Sequence, residues 1–303
     1  TYDLSESSDA VLVLAGTRRL LPLWRARTRG RRIVQRLDGI NWVHKKRDTG
    51  WRHYLRAEYG NFILSFVRSQ IAARVVYQSE FSRKWWEDWY GETRVPSAVI
   101  HNGVDLNVYS AGQNGILSHP PYKLLLVEGS LGGGYEMGLE NAIRLTEILR
   151  EKYELQVELV VVGKITDAHR KRVEAETNTS IHWMGSVPRE RIPEIDRSAH
   201  LLFSGDLNAA CPNSVIEALA CGLPVLAFDT GALKELAPGD AGRIVPYGGD
   251  PWDIAPPDVE SLAEAAVEIL KDQPRFRTSA REQAEKNLGL DQMVKKYLEV
   301  LLG

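Results

Sequence analysis

The sequence is poor in sulfur, with two cysteines and three methionines among 303 residues. Cys211 and Cys221 stand ten apart in one predicted helix. At about 1.5 Å of rise per residue they are beyond disulfide reach, which excludes a disulfide framework and suits a reducing cytoplasm. No apolar run approaches the roughly 20 residues of a membrane-spanning helix. The seven histidines show no metal-ligand spacing and no Cys/His cluster exists, so no metal site is expected. The chain opens Thr1-Tyr2-Asp3, with neither signal peptide nor initiator Met, which reads as a truncated start.

What is present is unevenly distributed. At roughly 150 residues per domain the length predicts two domains, and 44% apolar residues suffice for two cores. The net charge of -2 conceals an asymmetry: residues 1–105 carry 18 Lys and Arg against 11 Asp and Glu, and residues 106–303 carry 20 against 29. Six of the eight tryptophans fall in the first stretch, so composition places a boundary near residue 105.

Strands and helices alternate through the second half. Residues 123–128 (KLLLVE) form a continuous apolar run ending in glycines, which reads as a buried parallel strand. Further strands are expected at 157–162, 181–184, 201–204 and 225–228, with helices at 139–152, 167–176, 189–198 and 212–221. Gly222 and Pro224 give a helix stop and a strand entry. The first half offers strands at 10–15, 32–37, 74–77 and 98–100, and helices at 51–70 and 83–90. Four strands, where a doubly wound half commonly has about six, predict the later part of an α/β domain whose opening strands are absent. Helices at 261–271, 274–286 and 291–302 close the chain, and 111–121 reads as a hinge. The pattern predicts an α/β fold of two doubly wound parallel sheets with right-handed crossovers.

In such sheets ligands bind beyond the carboxyl ends of the strands, and between two such domains the cleft is the expected site. The segment 206–226, DLNAACPNSVIEALACGLPVL, is the most informative. From Val215 to Cys221 Glu217 is the single charge, and Pro212 suits the first helical position. Asn213, Ser214 and Glu217 share one helix face beside a positive helix end, an arrangement that receives an anion such as a diphosphate. Glu217, one turn further in, is placed to accept hydrogen bonds from a ribose diol. A lone Glu on a helix is ordinarily solvated, but its apolar neighbours here point to burial with a purpose.

The run Glu217-Ala218-Leu219-Ala220-Cys221-Gly222-Leu223-Pro224-Val225 resembles the family 4 (group 1) glycosyltransferases of the GT-B fold. So do Ile100-His101-Asn102-Gly103-Val104-Asp105, Ser79-Glu80-Phe81-Ser82-Arg83 and Gly185-Ser186-Val187-Pro188, and the resemblance extends over nearly the whole chain. It implies two doubly wound Rossmann-like domains facing a cleft. Residues 1–115 would be the incomplete acceptor side, 116–288 the nucleotide-sugar-binding domain, and 289–303 a helix packing back toward the first. The implied activity moves a sugar from a nucleotide-diphosphate sugar to a glycan or lipid-linked acceptor with retention of configuration. It would serve polysaccharide biosynthesis in the cytoplasm, with no metal and no cofactor beyond the donor. By resemblance Glu217 binds the ribose, Asn213 and Ser214 the diphosphate, and the loop Gly185, Ser186 and Val187 flanks the base.

The sequence departs from the family in three ways. The usual first Glu falls on Ala209, leaving Asp206, Asn208 or backbone amides to meet the sugar. The usual diphosphate-binding Arg and Lys fall on Ser130 and Met137, and Lys164 is the nearest spare cation. The loop 129–138 (GSLGGGYEMG), starting at Gly129, either cradles phosphate with backbone amides or is a plain turn; it fits neither a Walker nor a dinucleotide motif. The early acceptor-side strands are the third absence.

Gln35-Arg36-Leu37-Asp38-Gly39 ends a strand near where the family carries a His. Arg36 and Asp38 are therefore candidate catalytic residues, or else a structural ion pair. His101, beside the Asn102-Gly103 turn, is a further residue of interest. Trp85, Trp86 and Trp89 read as sugar-stacking or as core. Residues 18–32 mix seven arginines with Leu20, Leu21, Leu23 and Trp24, which suits peripheral contact with an anionic membrane or a solvated basic helix. A pI near 6.4 and no recognition motif argue against nucleic acid. The competing readings are a catalytically impaired nucleotide-sugar or glycan-binding protein and a sugar-nucleotide epimerase.

Overall fold

Strands and helices alternate through most of the residues that the computed structural model describes, 8–112, 119–132 and 136–303. In chain order the first elements are β1 (Ala10–Leu14), α1 (Leu20–Thr28), β2 (Arg32–Leu37), α2 (Trp51–Phe66), β3 (Arg74–Tyr77), α3 (Glu80–Tyr90) and β4 (Ser97–Val99). Then come β5 (Tyr122–Ser130), α4 (Met137–Glu151), β6 (Val157–Lys164), α5 (Asp167–Glu176), β7 (Ile181–Gly185), α6 (Ile192–Ser198) and β8 (Leu201–Ser204). The chain finishes with α7 (Asn213–Ala220), β9 (Val225–Phe228), α8 (Leu233–Leu236), β10 (Gly242–Val245), α9 (Val259–Lys271), α10 (Gln273–Asn287) and α11 (Leu290–Leu302). Two compact units result: Thr1–Asn102 with Asp291–Gly303, and Gly103–Leu290.

The first unit is a four-stranded parallel sheet in the order β1-β2-β3-β4. Successive strand residues face opposite sides, so Ile33 and Val34 of β2 enter different cores. Ile33 packs with Val13, Leu23, Ala26, Val67 and Ile71 under α1 and the end of α2. Val34 packs with Val76, Ile100 and Tyr297, the last supplied by α11. Arg32 and Arg74 fasten α11 further by donating to the carbonyls of Leu301 (2.9 Å) and Val300 (3.1 Å). Ser79 caps α3, its hydroxyl accepting from the Ser82 amide at 3.0 Å.

The second unit is a six-stranded parallel sheet in the order β10-β9-β8-β5-β6-β7. From β5 the chain builds outward to β6 and β7, then returns to the other side of β5 with β8. The order therefore reverses between β5 and β8. One face carries α4 and α9, whose Leu139, Leu145, Leu262 and Ile269 join Leu124, Leu126, Leu159 and Phe203 in one core. On α7 every residue from Val215 to Ala220 is buried.

Several expectations shift. The boundary composition placed near 105, and the resemblance at 115, lies at Asn102. The expected hinge at 111–121 is not that boundary, and its residues 113–118 lie outside the described residues. Residues 103–112 belong to the second unit because arginines hold their carbonyls. Arg281 donates to Leu106 and Tyr109 (3.3 and 2.8 Å), and Arg197 to Ser110 (3.1 Å). The closing segment assigned to the first unit starts at Asp291 rather than 289. Cys211 precedes α7 because Pro212, with extended backbone, starts the helix after itself; both cysteines are buried and neither forms a disulfide. Neither β10 nor α8 was expected. No described helix is long and apolar enough to cross a membrane.

Candidate functional site

The carboxyl edge of the second sheet gathers most of the expected donor residues. Gly129 and Ser130 end β5, Lys164 ends β6, and Gly185 ends β7 in the left-handed region at φ +65°. Ser130 and Lys164 are paired across the β5–β6 ladder, and the Leu131 amide bonds the Lys164 carbonyl at 3.0 Å. Lys164 is exposed, Ser186 is exposed and Val187 half-buried. Asn208, beyond β8, is buried with a left-handed φ of 55°, and its amide nitrogen has no partner. Of the glycine loop, residues 133–135 lie outside the described residues.

The helix α7 begins at this edge. Its N-cap residue, Pro212, gives no side-chain cap, so the first-turn amides keep their capacity for an anion. Asn213 is exposed, Ser214 half-buried and Glu217 buried. Glu217 has two companions that the sequence did not reveal. Arg189 brings its Nη2 to 3.4 Å from Glu217 Oε1, while its Nε donates to the Tyr109 hydroxyl at 3.2 Å. Arg189 follows the Gly185–Val187 loop by two residues, so that loop delivers the cation to the carboxylate. Burial holds the Glu217 carboxyl above its usual value, opposed by the Arg189 charge and by hydrogen bonds from Tyr109 and Arg189. Behind it the fully buried Asp196 is raised further, by its own burial and then by the Glu217 charge.

A second carboxyl, Glu128, also escaped the sequence reading. It lies at the end of β5, where the strand order reverses, and its Oε1 is buried with no hydrogen-bond partner. A Cβ at Gly138 would come 2.1 Å from this oxygen, and one at Gly205 would come 2.8 Å from it. A side chain at either position would displace the carboxyl from where it lies. Burial, and then the charge of Asp206, push Glu128 from 4.5 up to about 8. The nearby start of α4 favours an anion by only about 0.3–1 kcal/mol. A rise of that size corresponds to roughly 5 kcal/mol, so desolvation prevails. Asp206 is raised as well, by the protein crowding it, although its side chain reaches solvent.

In the first unit the carboxyl ends of β2 to β4 bring Arg36, Asp38, Gln78 and Asn102 together. Arg36 is committed to neutral partners: Nη2 lies 2.6 Å from Asn102 Oδ1. The Gln78 oxygen accepts from its Nη2 and Nε at 2.5 and 3.1 Å. Asp38 has no direct ion pair with it. Its carbonyl accepts from Trp86 Nε1 at 2.7 Å and from the Ser82 hydroxyl at 3.2 Å. Desolvation raises its carboxyl, against its own backbone amide and the Arg36 charge. Trp85 and Trp86 are core residues, while Trp89 is 39% exposed. On α1 Leu23 is buried, and Leu21 and Trp24 face outward among the arginines. Among the described residues no group of three His, Cys, Asp or Glu side chains is placed to hold a metal ion.

Residues 123–272 match the family described as "Glycosyl transferases group 1". No curated protein matches the sequence. Among solved structures, sucrose-phosphate synthase from Thermosynechococcus elongatus is similar over 96% of this chain and 72% of its own, with a TM-score of 0.74 at 18% identity. HepE of Anabaena in complex with UDP is similar over 96% and 78%, with a TM-score of 0.70 at 17% identity. TarM of S. aureus, in complex with Fondaparinux, alpha-GlcNAc-glycerol and UDP, is similar over 94% and 53%, with a TM-score of 0.70 at 14% identity. At these identities the likeness establishes the fold, the GT-B fold of Rossmann-like α/β units.

Proposed function

We propose, from the match of residues 123–272 to the group 1 glycosyltransferases, that the protein transfers a sugar, with retention, from a nucleoside-diphosphate sugar to a glycan or lipid-linked acceptor. The observation that carries this reading is Glu217, a buried carboxylate on α7 with Arg189 and Tyr109 upon it, at the carboxyl edge of a parallel sheet. Glu217 receives the ribose hydroxyls, Arg189 moving aside or sharing the carboxylate. The α7 amides with Asn213 and Ser214 hold the diphosphate, Lys164 adds a positive charge, and Gly185, Ser186 and Val187 border the base. Developing negative charge on the departing diphosphate is stabilised by these fixed dipoles, with no resident cofactor. UDP is the first nucleotide to try, because it is bound in the HepE and TarM structures. The basic α1, with Leu21 and Trp24 outward, supports contact with an anionic membrane surface where a lipid-linked acceptor would be met.

A ligand at 100 times its Kd stabilises a protein by about 2.7 kcal/mol, so UDP should raise the melting temperature measurably. Glu217→Ala should abolish that rise while leaving the circular dichroism intact. An unchanged UDP affinity in the variant would make Glu217 structural and overturn the site. A second reading, donor binding without transfer, is favoured by Ala209, Ser130 and Met137 in place of the family's Glu, Arg and Lys. A product assay with UDP-sugars separates the two.

A further inference from the structure

The crevice where strand order reverses is where an open parallel sheet takes its ligand. Here that crevice lies between β5 and β8, and acidic side chains border it. Glu128 comes from the end of β5, and Asp206 lies two residues past β8. Part of the floor is glycine backbone. Gly205 approaches Gly138 so closely that a Cβ on it would sit 2.6 Å from the Gly138 Cα. Ser130 and Met137 bring no cation, Lys164 across the ladder from Ser130 brings a single exposed one, and two ionised carboxylates together would outweigh it and repel a diphosphate. The crevice accepts an anion only if one carboxyl keeps its proton. Glu128 is the one enclosed, with an unpartnered Oε1 and a value pushed to about 8 by burial and Asp206. The glycines that face the carboxyl, Gly138 of α4 and Gly205 past β8, bring no charge; Asp206 is the facing group from the β8 side.

We propose that Glu128 is a donor-recognition residue that meets the diphosphate as a carboxylic acid, giving it a hydrogen bond from the β5 side of the crevice, where Ser130 and Met137 bring no charge. This rests on the donor-site reading above and adds a specific chemistry to it: the site takes up its anion together with a retained proton. Recognition is then sensitive to alkali through this one side chain. Gln, with an amide that donates, reproduces the neutral form at every pH.

The test is calorimetric titration with UDP, and separately with uridine, from pH 6.5 to 9.5, on the wild type and Glu128→Gln. The two proteins should bind UDP equally at pH 6.5. Above pH 8 the wild type should weaken relative to the variant by about tenfold per pH unit, the response of a single ionising group. Uridine, lacking phosphate, should show no such divergence. Parallel UDP profiles, or the same divergence with uridine, would overturn the role of Glu128 while leaving the donor site standing. If neither protein binds UDP or uridine, the donor-site reading itself falls, and this proposal with it.

Discussion

Replacing Arg281 by Met should loosen the second unit. Its guanidinium donates to three carbonyls: Ala220 at the end of α7 (2.5 Å), Tyr109 (2.8 Å) and Leu106 (3.3 Å). Met keeps the apolar stem and removes every donor. Leu106 is half-buried, so water can replace the lost bond there, but Tyr109 and Ala220 are buried. A buried acceptor stripped of its partner costs about 1–3 kcal/mol, so two give roughly 2–6 kcal/mol. The helix end also loses a favourable cation, worth about 0.3–1 kcal/mol. Urea denaturation followed by circular dichroism should register a loss of about 2–7 kcal/mol, summed from these contributions. Lys in place of Arg should lie between, since it keeps the charge without the fork. Tyr109 also stands over Glu217, so UDP affinity should fall in the Met variant even where it remains folded. A stability loss below about 1 kcal/mol would show that water satisfies the buried carbonyls and that the bonds do not fasten residues 103–112.

Three further outcomes are expected. Lys164→Ala should weaken UDP far more than uridine, since an exposed ammonium at the end of β6 can reach phosphate and has no role for the base; equal losses measured by calorimetry would refute this. Glu128→Gln should alter the pH dependence of stability. A carboxyl raised from 4.5 to about 8 binds its proton more tightly folded than unfolded, so its contribution is complete below pH 4.5 and is lost as pH rises toward 8. The variant should therefore gain on the wild type between pH 5 and 8, with an upper limit of roughly 4 kcal/mol, and parallel denaturation curves would refute the assignment. Gly205→Ala should destabilise by about 1–3 kcal/mol, because its Cβ meets the Gly138 backbone with no flexible side chain to yield; an unaffected melting curve would show the loop relaxing freely.

The fold was legible wherever burial is continuous along the sequence. Residues 123–128 announce β5 because both faces of a central parallel strand are covered and its residues are nearly all apolar. The edge strand β10 escaped because Gly242 and Arg243 dilute it, and Arg243 spends its charge on Asp240 and Glu268 at 3.0 and 2.5 Å. The site was legible on α7, where a lone charge in an apolar helix stands out. Its partners were not: Arg189 and Tyr109 reach Glu217 only after β7 and the 103–112 segment are folded against α7. Glu128 was hidden for a similar reason. In the sequence it is the polar end of a strand, and its meaning comes from two glycines and an aspartate on other elements. Sequence patterns report what a residue's own element needs and are silent about what distant elements bring to it.

The assignment of α11 to the first unit sets an order of events for a chain emerging from the ribosome. Domains ordinarily mature from the N-terminus as synthesis proceeds at about 5–20 residues per second. Here β1 to β4 emerge early, yet one face of their sheet waits for Tyr297, Val300 and Leu301. The entire second unit is translated in between, an interval of roughly tens of seconds at that rate. The unit whose synthesis starts first is thus the last to be completed. Until α11 arrives, Val34, Val76 and Ile100 form an uncovered apolar surface that the cell's chaperones would meet before any substrate does.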